Sequence, residues 1–546
     1  MRIFTLCKPY LVTCKYALVL YILLTFTAVV ITILSPYILG DFIDNLIQGA
    51  DVYVILRFCV IFGGLNMLGI MKGYATSLLY IKMQNGMGYG FNKAVLQHIQ
   101  KLSLKYSDNQ NIAYLSNRVT ADTNSLIGFC ITVVQNMLTN AVMLVVPFIV
   151  LFTLNQFITI LMAIFLAIYL LLYFACKKFL YEAGFALRES HARFVSGLLE
   201  QLKFIKLIKT NAIQGEINKR ADIKFANYDY DSRQNQKVNY LYTGMDGIIS
   251  TIAQIVLFVV GGLQILNGNF TVGLFTIFTA YFNMMLRAAR YFYGLGATYQ
   301  QTKVAYNRVK DVLDQKTETY GTSVLSDINS IAFSNVSFSY NDDISVINNF
   351  CMTLAKGNMY AVVGSNGAGK STLISLMMGL YINDFVGEVL YNKVNIQYID
   401  MCAALRNHIG YAMQEPVLVR DSITYNLTHR NDLMCINSVR LESCIEILGM
   451  TDFISKHGFD YEVNETNNNL SGGEKQKIAI LAVLLKNPTV MIFDEPTSAL
   501  DAETAARFMS YLNRIRSEKI IIIITHDPQL QSNCDKVIAL QAISPT

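Results

Sequence analysis

From Thr123 to Cys176 the chain runs without one charged side chain. No soluble domain of ordinary composition buries so long an unbroken apolar stretch. A lipid bilayer accepts it, because each crossing takes about 20 predominantly apolar residues. The stretch holds two crossings, with a polar break at Leu154-Asn155-Gln156. Tyr16–Gly40 and Gly247–Leu286 are likewise uncharged, and the second breaks at Asn267-Gly268-Asn269. Val52–Ile81 carries Arg57 and Lys72, so hydropathy alone leaves it weaker. It is counted as a span because the charged segments otherwise fall on opposite sides. Six spans are expected, near 16–39, 52–81, 127–153, 157–176, 247–266 and 272–292.

Charge sets the orientation. The loops at 41–51, at Asn155 and at 267–271 contain no Lys or Arg, whereas 82–122 and 177–237 contain many. The positive-inside rule places the latter two in the cytosol, and both termini with them. The basic residues between Lys177 and Lys224 alternate with Glu182, Glu189, Glu200 and Glu216. Such mixing reads as a solvated helical surface, so no nucleic-acid partner is expected. Both segments are too long and too helical in pattern for simple loops, and are expected to extend the membrane helices into the cytosol. The ten cysteines form no CxxC pair, which argues against a metal site or a disulfide framework. The first apolar run is too long for a signal-peptide core. The chain is thus expected to be an integral, multi-pass protein of the plasma (inner) membrane.

The composition changes after the sixth span. Residues 314–330 are polar and read as a linker, separating a membrane domain (1–313) from a second domain (331–546). In the second, apolar runs of strand length alternate with helical patterns, as in an α/β fold. Val490–Phe493 and Ile520–Ile524 are short and continuously apolar, the mark of parallel strands covered on both faces. The expected fold class is a multidomain membrane protein: a six-helix all-α transmembrane domain with long cytosolic helical extensions, then an α/β P-loop ATPase domain.

That second domain carries the chemistry. Tyr360–Val363 reads as a strand, Gly364-Ser365-Asn366-Gly367-Ala368-Gly369-Lys370 as a glycine-rich loop, and the run from Ser371 and Thr372 as a helix. In this context backbone N–H groups and a helix N-terminus cradle phosphate oxygens. Lys370 is expected to reach the β- and γ-phosphates, and Ser371 to ligate Mg²⁺. Asp494 and Glu495 end an apolar strand, where ligands of α/β sheets bind. Asp494 fits a Mg²⁺ partner, directly or through a water, and Glu495 a general base for the attacking water. His526 follows the five-isoleucine strand as a γ-phosphate contact. Gln414 follows another strand and offers an amide oxygen to the Mg²⁺ shell.

With these residues assembled, the chain resembles a half-molecule of an ABC transporter of the exporter type, over nearly its full length. Leu470-Ser471-Gly472-Gly473-Glu474 is similar to the family's signature, with Glu474 in place of the commoner Gln. Ser498-Ala499-Leu500-Asp501 resembles the D-loop, Tyr340 the adenine-stacking aromatic, and Glu465 the acidic residue of the loop that meets the membrane domain. Leu115–Asp122 and Lys206–Gly215 resemble the two coupling regions. Gly261, Gly262, Gly268, Gly273 and Arg308 stand where six-helix exporters carry similar residues. The pattern departs at Lys477 and Ala482, where relatives carry Arg.

The resemblance implies that Ser471, Gly472 and Gly473 of one copy meet the γ-phosphate of ATP held by another. Asp501 joins the nucleotide site. ATP and Mg²⁺ are then the cofactors, and a second half-transporter the partner. A homodimer is expected, since one chain carries a complete set of catalytic residues. The expected activity is ATP-driven export of an amphipathic small molecule or peptide by alternating access. Lipid flipping, or import through an exporter fold, stands as the alternative. A soluble ABC ATPase acting on ribosomes or DNA is opposed by the six spans. No protease domain precedes the first span, so leader-peptide cleavage is not expected. Arg287, Arg290 and Lys72 are candidate contacts for an anionic substrate group, or extend to the inner headgroups. Tyr281, Phe282, Met284 and Met285 are either substrate contacts or packing residues.

Overall fold

The computed structural model describes residues 2–49, 51–108, 112–341, 344–430, 438–464, 469–498 and 500–541. Two compact units emerge: Met1–Gln97 with Ile112–Asp314, and His98–Asn111 with Gln315–Thr546.

The first unit is helical. A short helix α1 (Arg2–Thr13) precedes α2 (Lys15–Ile47), α3 (Val52–Ile99), α4 (Thr123–Leu154), α5 (Gln156–Lys203), α6 (Gln214–Leu266) and α7 (Val272–Leu313). Among the described residues, six helices are long and apolar enough to cross a membrane. The polar breaks act as expected. Asn155 is extended (φ −160°), and its side chain accepts from the Ile158 amide to start α5. Gly268 turns at φ +74°, and Thr271 caps α7 by accepting from Leu274 N.

At 53 residues, α6 is ~80 Å long, while the hydrocarbon core spans only ~30 Å. Its remainder therefore lies outside lipid, and the sequence there is charged. Exposed pairs such as Arg193–Glu189 (2.8 Å) decorate α5, and Phe194 stacks on Tyr228 of α6 at 5.8 Å between centroids. Phe194 also packs against Phe225, so aromatic side chains join the two extensions.

The core of this unit gathers around α7. Tyr281, Phe282, Met284 and Met285 are each at most 3% exposed, so they are packing residues rather than free substrate contacts. Lipid offers no hydrophobic drive between helices, and polar side chains then serve as ties. Tyr281 donates to the carbonyl of Ile33 (2.7 Å), Gln254 to Asn283 (3.2 Å) and Asn155 to Gln264 (2.8 Å). Tyr21 is bonded to Gln135. Near the α7 N-terminus, Asp44 accepts from Thr271 Oγ1 (2.6 Å) and from Gly273 N (2.7 Å). A Cβ on Gly273 would lie 2.1 Å from the carbonyl oxygen of Gly40 and 2.4 Å from Asp44 Oδ2.

The second unit contains two sheets. An antiparallel one has the order β2-β1-β4-β5, from β1 (Ser330–Asn341), β2 (Ile344–Ala355), β4 (Phe385–Tyr391) and β5 (Val394–Asn395). A parallel one has the order β6-β7-β8-β3-β9, from β3 (Asn358–Val363), β6 (Ile409–Ala412), β7 (Val490–Asp494), β8 (Ile520–Ile524) and β9 (Lys536–Ala539). Ile520, Ile522 and Ile524 join one hydrophobic cluster, while Ile521 and Ile523 join another. Each face of β8 is thus covered, which explains why five consecutive isoleucines make one strand.

Leu115–Asp122, expected as the first coupling region, clusters with the first unit, where Arg118 bonds Asp122 at 2.6 Å. The segment that packs within the nucleotide unit is 98–108. Leu102 bridges to Thr317, Ser103 Oγ donates to Asp384 (2.6 Å) and Lys105 Nζ to the carbonyl of Ser339 (3.4 Å). Hydropathy marks where a span ends, but the register of a short polar turn is fixed by partners distant in sequence.

Gly273→Ala should force α2 and α7 apart and cost about 1–3 kcal/mol. The expected outcome is a lower thermal unfolding midpoint of the detergent-purified chain, and an unchanged midpoint would show that the contact yields freely.

Candidate nucleotide site

Three neighbouring strands of the parallel sheet build the site. β3 leads into the glycine-rich loop, β7 ends at Asp494, and β8 precedes Thr525 and His526. Their pairing is in register: Met491 opposes Ile521, and Met359 opposes the same Ile521 on the other side. All three carboxyl ends therefore emerge together, as ligand sites on α/β sheets require.

The loop runs from Gly364 to Gly369 and opens the helix α8 (Lys370–Met377). Gly369 has φ +90°, and a Cβ there would meet Val346 at 3.1 Å. Only glycine adopts that turn without strain. Ser365, Asn366 and Gly367 are exposed, while Ala368 and Gly369 are buried. Lys370 Nζ donates to the carbonyls of Gly364 (2.7 Å) and Ser365 (3.1 Å) and lies 3.2 Å from His526 Nε2. Ser371 and Thr372 occupy the first turn of α8, and Thr372 Oγ1 shares a 3.0 Å hydrogen bond with Tyr340 OH. The Tyr340 ring stands edge-on to Phe338 and Tyr381, with centroids 5.0 and 5.9 Å away. The aromatic side of the site is thereby tied to the phosphate loop.

The acidic residues lie across from Lys370. Asp494 is 8% exposed and accepts from Tyr411 OH (3.3 Å). Burial pushes its carboxyl above the usual range, Tyr411 and Lys370 oppose this, and neighbouring Glu495 adds to it. Gln414 Nε2 donates to Glu495 Oε2 (2.9 Å), and His526 Nε2 is 3.8 Å from Glu495 Oε1. Gln414, Glu495, His526 and Lys370 form one connected group. Among the described residues no set of three or more His, Cys, Asp or Glu could hold a metal by itself.

Glu495 has φ +47°, a left-handed conformation that non-glycine residues rarely adopt. Its surroundings hold it there. Its N–H donates to Ile524 O (2.9 Å), and its carbonyl accepts from Gln476 Nε2 (2.8 Å) and Ser498 Oγ (2.9 Å). Strain of this kind gathers at functional sites. Gln476 and Tyr411 were not singled out from the sequence. The signal for Gln476 is an amide inside an otherwise apolar helical face; Tyr411 offers none in sequence.

The signature lies at the start of another helix, α9 (Gly472–Lys486). Ser471 Oγ accepts from the Glu474 amide (3.3 Å), while Glu474 Oε2 accepts from Ser471 N (2.7 Å). This reciprocal capping box takes Glu or Gln at its third position, which accounts for Glu474 where Gln is commoner. Ser471 and Gly472 are exposed. Asp501 caps the helix α10 (Ala502–Ile515), accepting from Thr504 N (2.9 Å) and Oγ1 (2.8 Å), which hold its carboxyl below the usual range. Ala482 is partly buried and packs against the second hydrophobic cluster. Ala499 and Glu465 lie outside the described residues.

In the first unit, Arg290 does not stand free. Its guanidinium pairs with Asp246 (2.8 Å) and bonds Tyr169 OH (3.1 Å).

Residues 18–289 match the model of the ABC transporter transmembrane region, and residues 347–498 that of the ABC transporter. The lactococcin-G-processing and transport ATP-binding protein LagD of Lactococcus lactis subsp. lactis is 25% identical over 93% of this chain and 72% of its own length. The alpha-hemolysin translocation ATP-binding protein HlyB of Escherichia coli O157:H7 is 32% identical over 63% of this chain and 49% of its own, so the match spans about half of that relative. The fold is shared with a bacterial Atm1-family ABC exporter with ATP bound, at a TM-score of 0.83 and 20% identity, covering 97% of this chain and 96% of that one. The chain belongs to the ABC transporter family: it is a multi-pass membrane half-molecule of the exporter type, an ATP hydrolase coupled to transmembrane transport.

Proposed function

We propose that two copies of this chain form a homodimeric exporter that moves an amphipathic compound outward from the cytosolic side of the plasma (inner) membrane. The observation that carries the reading is the connected group Lys370, Gln414, Glu495 and His526 at one edge of the parallel sheet. One chain holds every catalytic residue, so two identical copies supply two competent sites.

In this reading Gly364 to Thr372 cradle the phosphates, Lys370 neutralises the β- and γ-phosphates, and Tyr340 stacks on adenine. Ser371, Gln414 and Asp494 fit Mg²⁺, a hard cation that takes oxygen ligands and keeps phosphates and waters in its shell. The buried Asp494 beside Glu495 supports this, since two adjacent carboxylates hold their charge best next to a cation. Mg²⁺ when bound would screen the charge on the transferring phosphoryl group. Glu495 acts as general base on the attacking water, while Gln414 and His526 hold its carboxylate and the γ-phosphate in place.

The exposed Ser471 and Gly472 of the signature support a role toward a partner. Ser471, Gly472 and Gly473 present a helix N-terminus, which favours anions, outward from their own unit. A second copy would bring this end to the opposite γ-phosphate, with Asp501 at the interface. The binding of ATP then favours the closed pair by its greater affinity for that state, and this drives alternating access. LagD and HlyB, named for transport and translocation, support transport as the function.

Glu495→Gln should lower ATP turnover at least about 100-fold while bound ATP accumulates. Turnover at the wild-type rate would remove the general-base role. Gly369→Ala and Lys370→Ala should each weaken binding of a fluorescent ATP analogue about tenfold or more, from loop strain and a lost charge contact respectively. Undiminished affinity would count against the phosphate loop. Uptake of amphipathic peptides and drugs into inside-out vesicles tests direction, and accumulation only in right-side-out vesicles would establish import.

A further inference from the structure

Two adjacent cavities lie in the first unit. One, of about 420 Å³, is lined by Tyr21, Thr25, Lys72, Thr76, Thr132 and Gln135 among others. The other, of about 650 Å³, is lined by Pro36, Leu65, Ile70, Asn283, Met284 and Arg287 among others. Both include Ala28 and Gly69, so they adjoin. Each volume falls within the range of small-molecule sites. Each cavity contains one cationic side chain, and neither lining includes a carboxylate.

The three candidate cations, Lys72, Arg287 and Arg290, separate here. Arg290 is neutralised by Asp246. Lys72 Nζ is buried and has no hydrogen-bond partner among the described residues. A snorkelling lysine would carry its ammonium out to headgroups and water, and Lys72 holds it inside instead. Arg287 forms no ion pair among the described residues and faces the adjoining cavity. An ammonium at membrane depth is costly without a counter-charge. The hydroxyl and amide groups near Lys72 suit a solvated head, and Leu65 and Ile70 suit an apolar body.

We propose that Lys72 and Arg287 form a binding site for the anionic group of an amphipathic ligand, a carboxylate or phosphate on an apolar body, entering from the bilayer or the cytosol. This deepens the transport reading by giving the exported compound a charge, and it rests on that reading only for the ligand's later movement.

The test is direct binding to the full chain in phosphatidylcholine nanodiscs without ATP, using labelled N-lauroylglycine and its uncharged amide. The carboxylate should bind at least about tenfold more tightly than the amide, as expected for a charge-assisted contact. Lys72→Gln and Arg287→Gln should each lose most of that preference, the double variant should lose all of it, and Lys72→Arg should keep it. Equal affinity of the two probes for the wild-type chain, a comparison that needs no variant, would overturn the proposal. So would a preference that survives in the double variant. Displacement of the probe by added phosphatidylglycerol would support a lipid headgroup as the anion, and retention a soluble amphipathic anion. ATP hydrolysis by the unliganded wild-type chain is scored separately, so a failed anion site and a failed transporter reading give different results.

Discussion

The parallel register of β3, β7 and β8 is the constraint on which the rest of the nucleotide unit depends. Five isoleucines in β8 pair residue for residue with both neighbours, and alternate between two hydrophobic clusters. A shift of one residue would send every one of these side chains to the wrong cluster. The same shift would pull Asp494, Glu495 and His526 away from Lys370. The geometry of the polar site is thus set by apolar packing beneath it.

Local hydrogen bonding then fixes what the sheet only brings near. Glu495 keeps a left-handed backbone because Ile524, Gln476 and Ser498 satisfy its amide and carbonyl. Ser471 and Glu474 cap α9 reciprocally, and Asp501 caps α10. Two residues carried by family motifs therefore have structural work inside one chain as well as a proposed role toward a partner. Glu474, a departure by sequence, is ordinary by geometry.

The membrane unit obeys other rules. Its helices are held by small residues at close approach, by polar ties, and by the aromatic and methionine packing around α7. The distinction among three of its basic residues is electrostatic: Arg290 has its counter-charge in the fold, and Lys72 and Arg287 have none among the described residues.

The sequence by itself determined the six spans, their polar breaks, the strand–loop–helix of the phosphate site and the family motifs. These are local properties: hydropathy, charge, glycine and capping chemistry act within a few residues. Tertiary structure alone decided that 98–108 rather than 115–122 packs into the nucleotide unit, that Gln476 and Tyr411 support the acidic residues, and that Tyr281 and Met284 are packing. It likewise decided which of three cations has a counter-charge among the described residues. Each of these depends on groups far apart in the chain, where no periodicity or spacing records who the partner is.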